Sequence, residues 1–262
     1  MSIEKKARAI DCTYLEGSKT RYAHQIPKES LNSFVERLPE NLISAIELVK
    51  LLKNSQPYQH IDQNKLIDLL HEIKIQITFI MITFGQFNSS VYDKTIPGSN
   101  VDQQIFNNMS ILLNYLSLTQ DIVIKSRILF ERIMNFIIFL EEGKELKGRS
   151  KNSKRSEFYK IIKGTPWEFF LEYQSFIDAY DQQFRAAEVH AGSFLKRYLV
   201  GKSLPDSDVI MSFSNFLMNI FWGNLKNILQ GKNAPSIFWD IGMEKLVGLT
   251  AIDISPQSFE DK

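Results

Sequence analysis

The chain has 262 residues, 44% of them hydrophobic, enough to bury the core of one large domain or two small ones. Lys and Arg number 31 against 30 Asp and Glu, so a formal charge of +1 gives no global field for nucleic acid, an anionic membrane or an acidic substrate, and any basic site must be local. The single cysteine, Cys12, excludes an intramolecular disulfide or a thiolate zinc cluster and points to a reducing compartment, hence the cytoplasm.

The opening MSIEKKARAIDCTY has no apolar run of the secretory type, and before Pro27 helical patterning is weak, which suggests an arm packed on the rest of the chain or on a partner. From Leu66 the spacing predicts a long helix. Leu66, Leu69, Leu70, Ile73, Ile77, Ile80, Met81 and Phe84 form one stripe, while Ile75, Phe79 and Ile82 add apolar groups on other faces, so this helix is expected to be buried nearly all round. His71 beside Glu72 reads as structural. The segments Ile75 to Phe84 and Val209 to Trp222 are the most apolar, and both fall short of the about 20 residues that span a bilayer.

Asn88 to Val101 is rich in turn formers and predicts a loop. The next helix carries Ile105, Met109, Leu112, Leu113 and Leu116. Ser117 to Gln120 has capping-box spacing, so a break is expected near Ser117, with one continuous helix as the alternative. Lys147 to Arg155, KGRSKNSKR, holds five basic residues and no acid and predicts an exposed loop. Thr165-Pro166-Trp167-Glu168 opens the best-signalled helix, with proline at its first position and a capping pair around it. Its stripe runs Phe169, Tyr173, Phe176, Tyr180, Phe184, Ala187 and Ala191, ending at Gly192. LPDSD, from Leu204, starts a last long helix that Gly231 stops. No segment alternates with period two, so the fold class expected is all-α, a helical bundle.

The residues that carry chemistry sit at the end of the Thr165 helix, in FRAAEVHAGSFLKR. Arg185 and His190, five residues apart, lie about 140° apart around a helix and flank a face rather than stack. Glu188 sits beside Arg185, and Lys196 and Arg197 follow the glycine. A permanent cation with an imidazole that titrates near neutrality suits a phosphodiester substrate: arginine holds the oxygens and histidine moves the proton.

The R-x4-H element Arg185-Ala-Ala-Glu-Val-His190 resembles the signature of HEPN domains (higher eukaryotes and prokaryotes nucleotide-binding), which are helical bundles of four to five helices. The resemblance covers roughly Gln104 to Gly231. It implies a HEPN-like up-and-down core at 102–231, with 1–88 as an N-terminal helical region packed on or extending the bundle and 232–262 as a C-terminal extension. Many members of the family are metal-independent endoribonucleases of toxin–antitoxin, abortive-infection or CRISPR-associated defence systems; others are inactive RNA-binding or assembly modules. Active members pair two copies so that two arginines and two histidines form one site. The resemblance therefore implies a homodimer, with Arg185 and His190 catalytic and Glu188, Lys196 and Arg197 accessory. The partners expected are RNA and an antitoxin or other protein, with no membrane, no cofactor and no metal. Many active members carry a polar residue directly after the arginine, where this chain has Ala186.

The basic run adds Lys147, Arg149, Lys151, Lys154 and Arg155 as candidate RNA contacts, with Phe158, Tyr159 and Trp167 nearby as stacking groups whose more ordinary role is core packing. Against chemistry stands a plainer account. Arg185 and Glu188 make a solvated i,i+3 pair, His190 borders the core about 60° from the stripe, and the protein is a helical interaction module.

Overall fold

Two short polar side chains decide where the longest helices begin. Asp62 Oδ1 accepts from the backbone N–H of Asn64 (3.0 Å) and Lys65 (3.3 Å), and Asn108 Oδ1 accepts from Ser110 (3.1 Å) and Ile111 (3.2 Å). Each satisfies amides that a helix start leaves without an intrahelical partner. The computed structural model describes residues 2–11, 43–96, 100–146, 151–190, 204–232 and 238–253, with backbone alone for 151–153, 185–190 and 249–253.

Among the described residues all regular structure is helical. The order is α1 (3–11), α2 (Ala45–Asn54), α3 (Gln63–Ser90), α4 (Val101–Asn107) and α5 (Met109–Glu142), then α6 (Lys151–Ile162), α7 (Gln174–His190), α8 (Ser207–Leu229) and α9 (Ile241–Asp253). The protein is an all-α helical bundle. Its spine is the antiparallel pair α3 and α5, of 28 and 34 residues. Arg132 donates to the Glu72 carbonyl (2.8 Å), Gln76 to that of Lys125 (3.0 Å), and the Lys125 amine to Thr83 Oγ1 (2.7 Å), so the numbering falls along one helix as it rises along the other. One continuous apolar core runs from Ala7 to Leu246.

The N-terminal helices are tied in by a buried charge. Asp11 accepts from the amides of Ala45 (2.8 Å) and Ile46 (3.1 Å) at the start of α2 and meets Lys74 of α3 at 3.4 Å. Burial holds the Lys74 amine below its ordinary pKa, and the Asp11 carboxylate opposes that shift. A second tie is Glu141, at the end of α5, whose Oε1 accepts from Tyr58 Oη and Trp167 Nε1, both at 3.0 Å.

Several sequence expectations change. The break falls at Asn108, not Ser117: α5 continues through Ser117 because Leu116, Thr119, Ile122 and Val123 are all buried against neighbours. The Thr119 hydroxyl donates back to the carbonyls of Tyr115 and Leu116 rather than capping a new start. Of the stripe assigned to the helix after the loop, Met109 and Leu113 are exposed. α3 runs on to Ser90, into the predicted loop, and it is not buried all round, since Phe79 is 41% exposed. The basic run is helix from Lys151 onward, because Phe158 and Ile162, one turn apart, are buried and tertiary packing outweighs a weak local signal. The Thr165 helix opens as a 3-10 segment, Glu168–Tyr173. There Thr165 Oγ1 accepts from Trp167 N (3.2 Å), but Glu168 reaches Gly164 N (3.2 Å) and not the Thr165 amide. Helix α9 lies beyond Gly231, where the sequence pattern weakens. No helix among the described residues is long and apolar enough to cross a membrane.

Candidate functional site

Helix α7 is held on one side by aromatic residues. Phe176, Tyr180 and Phe184 are buried, Tyr180 stacks on Phe213 of α8 at 4.3 Å, and its hydroxyl donates to the Ile210 carbonyl at 3.0 Å. Burial raises the Tyr180 pKa well above the ordinary phenol value, so it remains a neutral donor. This anchoring fixes the rotation of α7 and therefore which residues its other side presents.

That other side carries Asp178 and Asp181, and each meets cations from neighbouring helices. Arg127 of α5 approaches Asp181 Oδ1 through Nε at 3.1 Å. Arg155 of α6 reaches Asp178 at 3.1 Å and Asp181 Oδ2 at 3.5 Å. Lys154 pairs with Glu131 of α5. Asp181 is thus a bridge between α5 and α6, and its side chain is 18% exposed beside 11% for Arg127 and 20% for Arg155. Charges this far from water persist only when paired. Between them lies a cavity of about 40 Å³ with Phe130, Met134 and Ile177 among its apolar walls.

Arg185, Glu188 and His190 belong to α7 by backbone; their side chains lie outside the described residues. Helical geometry places Arg185 one turn beyond Asp181 and Glu188 two turns beyond, on the face that carries the ion pairs. His190 falls about 140° from Arg185 and about 180° from Asp181 around the axis. Lys196, Arg197, Lys147 and Arg149, with Ala191 and Gly192 that were expected to end the helix, lie outside the described residues, and Lys151 is described by its backbone alone. Lys154 and Arg155 do reach the cleft, where each is bound to carboxylates. Phe158 and Trp167 are fully buried in the core, which leaves neither free to stack on a base.

Sequence reasoning missed Arg127, Glu131, Asp178 and Asp181. The carboxylates had one faint signal, the i,i+3 and i,i+4 spacing of Asp178, Asp181 and Arg185 along one face; Arg127 had none. Tyr159, one turn after Arg155, has a buried hydroxyl with no hydrogen-bond partner among the described residues. Burial first, and the nearby Asp178 charge second, raise its pKa above the usual phenol value. No group of three His, Cys, Asp or Glu side chains among the described residues is arranged to hold a metal ion. The chain matches no family model, no curated protein and no solved structure.

Proposed function

We propose that the protein is a HEPN-like, metal-independent endoribonuclease that works as a homodimer, in the manner of a toxin or phage-defence component held in check by a protein partner. The observation that supports this reading is that Arg185 and His190 fall on one continuous helix, anchored by buried aromatics and bordered by basic residues of α6. A helix that carries arginine and histidine on different sides suits a site shared between two copies, in which each supplies what the other turns away.

In that site His190 of one copy takes the proton of a ribose 2′-hydroxyl, and His190 of the other returns one to the leaving 5′-oxygen; one imidazole cannot do both in a single step. Arg185 from each copy stabilises the charge that grows on phosphorus, where a planar guanidinium matches two oxygens at once. The products are a 2′,3′-cyclic phosphate and a 5′-hydroxyl. The deciding experiment is cleavage of mixed-sequence single-stranded RNA in EDTA by wild type and His190→Ala, with dimer formation measured in parallel. Cleavage by wild type alone, leaving cyclic phosphate ends, is expected; equal activity in both proteins ends the reading.

Ala186 favours a second reading, in which the bundle binds RNA or a protein without cleaving. An alanine offers no hydrogen bond to orient the arginine or the histidine. Silence from a confirmed dimer in the same assay selects it.

A further inference from the structure

We infer that α1 is a pH-operated arm, docked on α3 while His71 is neutral and released when that imidazole takes a proton. Such an arm would operate whether or not the chain cleaves RNA.

Helix α1 runs along α3 in the same direction and is anchored at two points. Lys6 donates to the Asn64 carbonyl (3.3 Å) and pairs with Asp68 (2.7 Å), and five residues later Asp11 meets Lys74 (3.4 Å). His71 falls halfway between the anchors, three residues after Asp68 and three before Lys74. On α3 that is about 60° around the axis and about 4.5 Å along it from each. Among residues 3–11 Ala7 alone is buried, with Ile3 and Ile10 partly covered, so charge carries much of the attachment.

The docked ring is poorly placed for a second proton. Its Nδ1 is buried and has no hydrogen-bond partner among the described residues. In the neutral ring that nitrogen can be the bare one, with the proton on Nε2, whereas an imidazolium carries N–H on both. A buried donor without an acceptor is unfavourable. The two carboxylates that attract an imidazolium here are already engaged, Asp68 by Lys6 and Glu72 by Arg132 of α5 (3.8 Å). The buried Lys74 amine repels it. Other charges close to this strip are paired as well: Lys65 with Glu145, Glu47 of α2 with Lys226, and Glu4 with Lys53. A proton on His71 is accommodated by drawing Asp68 away from Lys6 or by letting Lys74 and Asp11 part, and either loosens an anchor of α1.

Burial first, and Lys74 second, hold the His71 pKa below its ordinary 6.5, against the pull of Asp68 and Glu72. The docked state thus binds the proton less tightly than the released one. Docking is complete above about pH 6.5 and is lost as pH falls through the docked-state value. When α1 leaves, Asp11 no longer accepts from the amides of Ala45 and Ile46, and the start of α2 is uncovered.

Hydrogen–deuterium exchange of the full-length protein, read by mass spectrometry and corrected for the intrinsic effect of pH on exchange, follows the arm directly. From about pH 7.5 to about pH 5.5, the range a histidine titrates, the amides of residues 3–11 are expected to lose protection while those of α5 keep theirs. His71→Gln and the smaller His71→Asn, neutral throughout, should leave α1 equally protected at both pH values. Two neutral variants guard against one that disturbs packing. Protection of α1 in the wild type at the lower pH overturns the proposal. So does a neutral variant, docked at the higher pH, that loses protection in step with wild type, and so does opening of α5 together with α1.

Discussion

Removing Asp181 should destabilise the protein, because cations from two neighbouring helices meet on that one carboxylate. In Asp181→Ala, Arg127 loses the carboxylate it meets at 3.1 Å while remaining 11% exposed, and Arg155 loses its 3.5 Å contact but keeps Asp178 at 3.1 Å. Breaking a fully buried pair costs about 3–5 kcal/mol; the partial exposure of these groups and the surviving Asp178 contact bring the expectation to about 2–3 kcal/mol. For a domain of this size that is a fall in Tm of about 5–10 °C. Differential scanning calorimetry and chemical denaturation at matched ionic strength read the loss on one preparation. If Tm does not move, the bridge between α5 and α6 carries none of the stability assigned to it.

Glu141 makes a prediction that depends on pH. Burial raises its pKa from the ordinary 4.5, while the hydrogen bonds from Tyr58 and Trp167 oppose the shift. The folded state therefore binds the proton more tightly than the unfolded one, so the stability this group contributes is complete below about pH 4.5 and fades as pH rises through its folded value. Glu141→Gln keeps an acceptor for both donors without the charge, so its Tm should equal or exceed that of wild type at pH 7, with the gap closing in acid; a gap that widens in acid contradicts the assignment. Glu141→Ala strands two donors and should cost about 2–5 kcal/mol by chemical denaturation. At Gly242 an added Cβ would lie 2.2 Å from the Asp208 carbonyl oxygen and 2.8 Å from Ser212 Cβ, and backbone cannot yield as a flexible side chain does. Gly242→Ala should therefore lift α9 from α8 at a cost of about 1–3 kcal/mol, read by the emission of Trp239, whose ring lies 5.6 Å from Tyr173; unchanged emission and Tm would show that the two helices do not need this close approach.

What could be read from the sequence was whatever one helix carries within itself. The Asp206 cap, accepting from Asp208 N at 2.9 Å, the apolar stripe through Phe176, Tyr180 and Phe184, and the common helix of Arg185 and His190 are all set by residues within a few turns of one another. The errors arose where a local signal met packing against residues distant in the chain. Ser117 offered a helix start by its spacing, but Leu116 and Thr119 are buried against neighbours that kept the helix running through it. Phe79 looked like core because it is apolar, yet its exposure depends on where α5 lies beside α3, which no window along α3 contains. The cleft is the extreme case. Arg127 gains its role only when α5 is laid against α7, and Lys154 and Arg155, read as free cations because their run holds no acid, find their carboxylates on other helices. A basic run in sequence is thus a statement about local charge, whereas what its cations can reach depends on which acids the fold brings to them: Glu131 meets Lys154, and Asp178 and Asp181 meet Arg155.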